Sequence, residues 1–330
     1  MSKKLPSTNL FRAILVALTI GFVGCENQTA RTAFTQTTTQ VNENLPRVVA
    51  TTSVLCDLTR QVAGNTVNLT CLIDSSANPQ FYKPKPEDQR AIKEANLILY
   101  SGYNLEPNLI KLIKVTKNTA LKIAVGQVAV SKPQKFQKGD KNVTNPYLWH
   151  NTKNTIRMVQ VINSNLGKLE STEAEAYTSN TKRITNELTQ LDSWIKSRIA
   201  SIPPKERKLV TTSDALSYYA KAYGIPLAGL LQGISTSENL TNARVKNLVT
   251  NIKQAKVSTI FTETAINSNV LQSVARQAEV KISDRKLYAE GLGEPGSEAD
   301  TYQKMMIANT RTIVEGLGGT YLMFEAKTAQ

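Results

Sequence analysis

The sequence predicts an α/β protein of two βα lobes with mostly parallel sheets, joined by a long rigid helix, with a ligand cleft between the lobes. Three observations carry that prediction. Short β-branched runs alternate with helical segments in two separate series. The runs are continuously apolar rather than alternating, as strands buried on both faces are. Between the two series, residues 152–200 are nearly free of Gly and Pro and carry apolar residues at helical spacing.

Taken in order, Val48–Ser53 reads as the first strand, and Val54–Ala63 as a helix stopped by Gly64-Asn65. Val67–Ile73 is the second strand. Pro86–Ala95 is a short helix with its proline in the first turn. Leu97–Tyr100 is a strand, Glu106–Val115 a helix and Ala120–Val125 a strand. Strands and helices alternating at this spacing imply parallel pairing with crossover helices. Ser131–Val143, with Lys132, Lys135, Lys138 and Lys141, reads as a mobile surface loop. Residues 152–200 then form one or two long helices, closed by Pro203-Pro204.

The second series follows. Lys208–Thr212 is a strand, Ala215–Tyr223 a helix, Pro226–Leu231 a strand, and Ala243–Ala255 a helix. Thr259–Thr262 is a strand, Ser268–Ala278 a helix, Lys286–Ala289 a strand, and Asp300–Gly316 the last helix. Ligands of such sheets sit at the carboxyl ends of the strands, which places the cleft between the lobes.

The N-terminus carries export features. Lys3, Lys4 and Arg12 precede the apolar run Ala13–Val23, too short to span a bilayer comfortably, and the run ends at Gly24-Cys25. Residues 1–24 read as a signal peptide, and Cys25 as a lipidated first mature residue, in preference to an ordinary signal with an incidental cysteine. Residues 25–46, rich in Thr, Gln and Asn, read as a flexible tether. The remaining boundaries are 47–151 for the N-terminal lobe, 152–204 for the linking helical segment and 205–330 for the C-terminal lobe. The formal charge is +14, and loss of three cations with the signal leaves 14 − 3 = +11. That excess favours an anionic membrane surface; its lysines are too scattered, and too poor in interleaved aromatics, for nucleic acid. Cys56 and Cys71 leave two readings open, a disulfide suited to an oxidising compartment or two buried thiols.

Four blocks resemble the zinc and manganese solute-binding proteins of bacterial ABC transporters. These are Val49–Val54, Asn78–Pro84, Asn145–Trp149 and Pro295–Tyr302, in an order and spacing that agree from about Val48 onwards. The resemblance implies a periplasmic, membrane-anchored, monomeric binding protein that passes Zn²⁺ or Mn²⁺ to an ABC permease. It also implies four ligand positions: Gln80, Tyr147, Ser213 and Glu290. Only Glu290 is a strong ligand, because the other three offer a neutral amide, a phenol and a hydroxyl where zinc takes imidazole, thiolate or carboxylate. With a single histidine in the chain, no two-histidine site exists. His150 and Asp214 are the substitutes for a relocated metal site with Glu290. As residues without that role, His150 reads as a surface residue at a helix start, Asp214 as a cap of the helix from Ala215, and Glu263 as a group ordering loops beside the cleft. With the metal positions this degenerate, two other readings stand beside metal delivery: binding of a non-metal small solute, or a ligand-free, adhesin-like surface role. An enzyme is not expected: there is no Gly-x-Ser-x-Gly elbow, Walker loop or dinucleotide fingerprint.

Overall fold

In the N-terminal sheet the inner strands are buried on both faces over residues 48–50 and 97–99, which is why those runs are apolar at every position. The outer strands carry Asn68, Thr70 and Lys122 and are partly exposed. Strands β1 (Arg47–Ala50), β2 (Asn68–Cys71), β3 (Leu97–Tyr100) and β4 (Leu121–Ala124) pair in the order β2-β1-β3-β4, all parallel. Alternate residues point to opposite sides. Val48, Ala50, Leu97 and Leu99 enter the main core, whereas Val49 and Ile98 enter a second cluster with Ile92, Leu109 and Ile113. The connecting helices are α1 (Ser53–Ala63), α2 (Pro86–Glu94), α3 (Pro107–Val115) and the short α4 (Val125–Ala129). The computed structural model describes residues 42–75, 77–138, 141–211, 214–230, 242–263 and 268–327. The signal, Cys25 and nearly all of the tether lie outside the described residues.

The linking segment is two helices rather than one. α5 (Thr152–Leu169) is capped by Asn151, whose side chain accepts from the Lys153 amide. A short 3-10 turn, Ser171–Glu173, leads into the long helix α6 (Ala174–Ala200). The buried face of α6 runs Tyr177, Thr181, Ile184, Leu188, Leu191, Ile195 and Ile199, a repeat of three and four that keeps one stripe facing inward. α5 and α1 pack along this stripe together with the last helix, α10 (Tyr302–Gly316). The halves are further tied by Asp57 on α1, which accepts the Tyr302 amide at 2.8 Å, and by the paired side chains of Gln61 and Gln303.

The second half repeats the strand order. β7 (Leu209–Thr211) pairs parallel with β8 (Leu227–Leu230), and β9 (Thr259–Ile260) with β10 (Lys281–Ile282). The Phe261 amide donates to the Val210 carbonyl at 3.0 Å and joins the two pairs. The order is again second, first, third, fourth. Helices α7 (Ser217–Tyr223), α8 (Asn242–Ala255) and α9 (Ser268–Ala278) complete this half.

Three expectations change, and the open reading of the two cysteines is decided. The lysine-rich segment is a hairpin, β5 (Lys135–Lys138) antiparallel to β6 (Lys141–Thr144), with Phe136 opposite Val143. Lys286–Ala289 is not a strand. Its backbone is held by a side chain instead, since Asn309 accepts the Tyr288 amide and donates to the Tyr288 carbonyl, leaving one bridge between Leu287 and Glu263. The edge strand falls earlier, at β10. The helix expected from Ala215 starts two residues later, and it is the main-chain oxygen of Asp214 that receives Ser217. The two cysteines are bonded, with their Cα atoms 5.6 Å apart, joining α1 to the end of β2. A loop of this length stabilises by about 3 kcal/mol through the unfolded chain.

Glu106 closes the carboxyl ends of β1 and β3. It is fully buried; Oε1 accepts from the Thr51 hydroxyl at 2.8 Å and the Ser101 amide at 2.7 Å, and Oε2 has no partner among the described residues. Burial pushes its pKa up to about 7, against the downward pull of those two donors. Between the unfolded value of 4.5 and about 7 the native protein holds a proton that the unfolded chain has lost, so stability declines as pH rises through that window. In Glu106→Gln this loss disappears. Urea unfolding should show the variant gaining about 2 kcal/mol on the parent between pH 5 and pH 8; a pH-independent difference would contradict the buried titration.

Candidate functional site

The site is built on a hydrogen bond between side chains that lie far apart in sequence. The Tyr147 hydroxyl donates to Glu290 Oε2 at 2.7 Å. Tyr147 precedes a short 3-10 turn, Leu148–His150, and its amide is fixed by the Asn145 side chain at 3.0 Å. Asn145 also donates to the main chain of Asp214 at 3.1 Å, so one residue sets both the Tyr147 and the Asp214 loops. The Tyr147 ring stands edge-on to Trp149 with centroids 5.4 Å apart.

Glu290 is held from both sides. His150 Nε2 donates to the Ala289 carbonyl at 2.8 Å, immediately before it. Two residues after it, the Leu292 amide donates to Ser53 Oγ at 3.1 Å, at the start of α1. Gly291 permits this approach: a Cβ there would lie 2.7 Å from Ser53 Oγ and 3.2 Å from the Ser75 carbonyl. The carboxylate is therefore aimed by backbone contacts at Ala289 and Leu292.

Its charge state follows from burial. Desolvation pushes the Glu290 pKa up to about 7; the Tyr147 bond pulls it down, and the nearby charges of Glu263 and Asp214 push it up. Tyr147 is held well above the ordinary phenol range by burial first and by Glu290 second, so it is the donor of the pair.

The four positions expected as ligands fare differently. Tyr147 and Glu290 meet. Gln80 lies in the turn Pro79–Phe81 with its amide on Asn78 Oδ1, and its side chain is not bonded to the pair. Ser213 lies outside the described residues. His150 is not a surface residue: it is wholly enclosed, burial lowers its pKa to about 4, and it supports the Ala289 backbone. Among the described residues no three His, Cys, Asp or Glu side chains are grouped to hold a metal ion, so His150, Asp214 and Glu290 do not form a relocated cluster. Glu263 is buried and bridges to Leu287, in line with a loop-ordering place beside the cleft. Ser53, Asn145 and His150 are positioning residues that pattern reading missed. The available signal was their place in the recognisable blocks, Ser53 and Asn145 inside them and His150 directly after one.

Residues 48–316 match the family described as zinc-uptake complex component A, periplasmic. The chain belongs to this family. The family comprises substrate-binding proteins, not enzymes. A similar relative is the manganese ABC transporter substrate-binding lipoprotein PsaA of Streptococcus mitis, 32% identical over 82% of this chain and 89% of the relative. The metal ABC transporter substrate-binding lipoprotein ScbA of Streptococcus cristatus is 29% identical, covering 93% of this chain and 98% of the relative. Among solved structures, the periplasmic zinc-binding protein TroA of Treponema pallidum superposes with a TM-score of 0.75 at 27% identity, covering 83% of this chain and 99% of that one. The parallel sheets and long helix described above are those of this two-lobed family fold.

Tyr147→Phe removes the donor that holds the Glu290 pKa down. A hydrogen bond to a charged carboxylate is worth about 1.5 kcal/mol or more, so the Glu290 pKa should rise by about one unit. Carbon-13 NMR titration of the glutamate carboxyl carbons reads this directly, and an unmoved Glu290 resonance would contradict the coupling.

Proposed function

We propose that this protein is the exported, lipid-anchored substrate-binding component of a metal ABC uptake transporter. It delivers a divalent cation to a membrane permease from a cleft whose donors are oxygens. Acylation at Cys25, after removal of residues 1–24, holds it to the membrane. Residues 25–46 act as the tether, and lobes 47–151 and 205–330 flank the helical segment 152–204. The 2.7 Å Tyr147–Glu290 bond carries the reading, because it joins side chains at two of the positions where the family resemblance places ligands. A cation entering there displaces the phenol proton's claim on Glu290 and takes the carboxylate as its charged ligand. Gln80, Tyr147 and Ser213 add neutral oxygens, and Asp214 and Glu263 supply negative potential.

Such a donor set lacks imidazole and thiolate. It suits Mn²⁺ better than Zn²⁺, which takes nitrogen and sulfur ligands in its tight sites. The relative named for manganese supports the same choice. Titration calorimetry with MnCl₂ and ZnCl₂ tests it. Mn²⁺ should bind measurably, and Glu290→Ala should lower its affinity about tenfold or more, equivalent to about 1.4 kcal/mol. Absence of heat with both metals would favour a non-metal solute or a ligand-free role and overturn the proposal.

A further inference from the structure

A second cavity lies apart from the Tyr147–Glu290 cleft and has the opposite electrostatic character. It encloses about 350 Å³ between the start of α5, the later part of α6, α7 and the segment leading into β5. Its charged lining is Lys132, Lys153, Arg157, Lys196, Lys221 and Asp192. Five cations against one anion give 5 − 1 = +4 within one concavity.

The single carboxylate is already engaged. Asp192 Oδ1 accepts from the Thr152 hydroxyl at 2.9 Å, and Oδ2 from Lys196 Nζ at 2.6 Å. Lys132, Lys153, Arg157 and Lys221 are exposed and have no ion-pair partner among the described residues. Some cations elsewhere find carboxylates, as in Arg47–Glu94, Arg285–Glu298 and Lys304–Asp300. Four unneutralised cations around a hollow repel one another, and the low-dielectric walls focus their field into it.

The backbone adds to the same sign. α5 begins at the cavity, with Asn151, Lys153 and Asn154 in the lining, and its first turn contains no acidic residue. The one side-chain anion at the positive end of this 18-residue helix is Asp192, which accepts from the Thr152 hydroxyl and is neutralised by Lys196. Arg157 supplies a planar fork and the lysines supply point charges, a combination matched to phosphate oxygens. The volume falls at the small end of ligand pockets. None of Gln80, Tyr147 and Glu290 lines it, and its charge repels the cation assigned to the cleft.

We propose that this cavity binds a phosphate-bearing anion, either a soluble phosphate compound or the headgroup of an anionic lipid. The test uses the full chain with Cys25→Ser, which removes the acyl anchor equally from every variant. One arm titrates sodium pyrophosphate by calorimetry. The other measures co-flotation with phosphatidylglycerol vesicles against phosphatidylcholine vesicles. Binding in either arm should weaken with salt. It should fall at least about tenfold in Lys153→Glu/Arg157→Glu/Lys221→Glu, while Lys111→Glu/Lys246→Glu/Lys253→Glu, with the same net charge, retains it. All six positions are exposed, and equal thermal melting temperatures check that folding is intact. Pyrophosphate binding identifies a soluble phosphate compound, and binding to phosphatidylglycerol alone identifies the headgroup. No binding in both arms, or equal losses in the two triple variants, would overturn the assignment, and neither outcome bears on the metal titration.

Discussion

The apolar stripe of α6, from Tyr177 to Ile199, is the surface on which both halves of the molecule close. One continuous cluster joins Val48 and Leu97 of the first sheet, Leu188 and Ile195 of α6, Leu209 of the second sheet and Met306 and Ile313 of α10. Each fully buried Leu or Ile of the stripe contributes about 2 kcal/mol of transfer free energy. The two sheets therefore share this core on one side, while Val49 and Ile98 of the first and Val210 and Ile260 of the second enter separate clusters. The same cluster reaches the site itself, through Tyr147, Trp149, Ala289 and Leu292.

That shared core makes it possible to place ionisable groups where water does not reach. Glu106 and Glu290 are pushed up to about 7, and His150 is lowered to about 4, each chiefly by burial. The shifts act in opposite directions on stability. His150 has a folded pKa below its unfolded value of 6.5, so stability is lost as pH falls from there toward 4. The carboxylates favour the opposite end of the range. Near neutrality Glu290 sits close to its own titration point. A carboxylate in that condition becomes fully ionised when a cation arrives, and it is protonated without one at modest energetic cost.

The two concave sites divide the charge of the molecule. Glu290 accepts from the Tyr147 hydroxyl with the charges of Glu263 and Asp214 nearby, while four cations without ion-pair partners among the described residues line the cavity at the start of α5. A chain with a large positive excess thus keeps a locally negative site at Glu290, which is a condition for holding a cation at all.

Much of this was legible in the residues. The inner strands β1 and β3 of the first half are apolar at consecutive positions because both of their faces are covered, and that pattern is visible without coordinates. The stripe of α6 is equally visible, because its spacing of three and four survives any context. The blocks from Asn78, Asn145 and Pro295 carried the family, and with it the places of Tyr147 and Glu290. Other features depended on pairing across long sequence distances. Lys135–Lys138 and Lys141–Thr144 form a hairpin because Phe136 faces Val143, although four lysines make the segment read as a solvated loop. Lys286–Ala289 is apolar enough for a strand, but Asn309, on a helix that follows it, takes its backbone hydrogen bonds. His150 reads as a surface residue from its neighbours, and it is enclosed because Ala289 supplies an acceptor above it. Periodicity determined most of the elements, the N-terminal residues gave the expectation of export, and the four blocks gave the family resemblance, since these are local properties of the chain. Only tertiary structure decided which polar groups meet, because burial and hydrogen-bond partnership are set by residues that the local sequence does not contain.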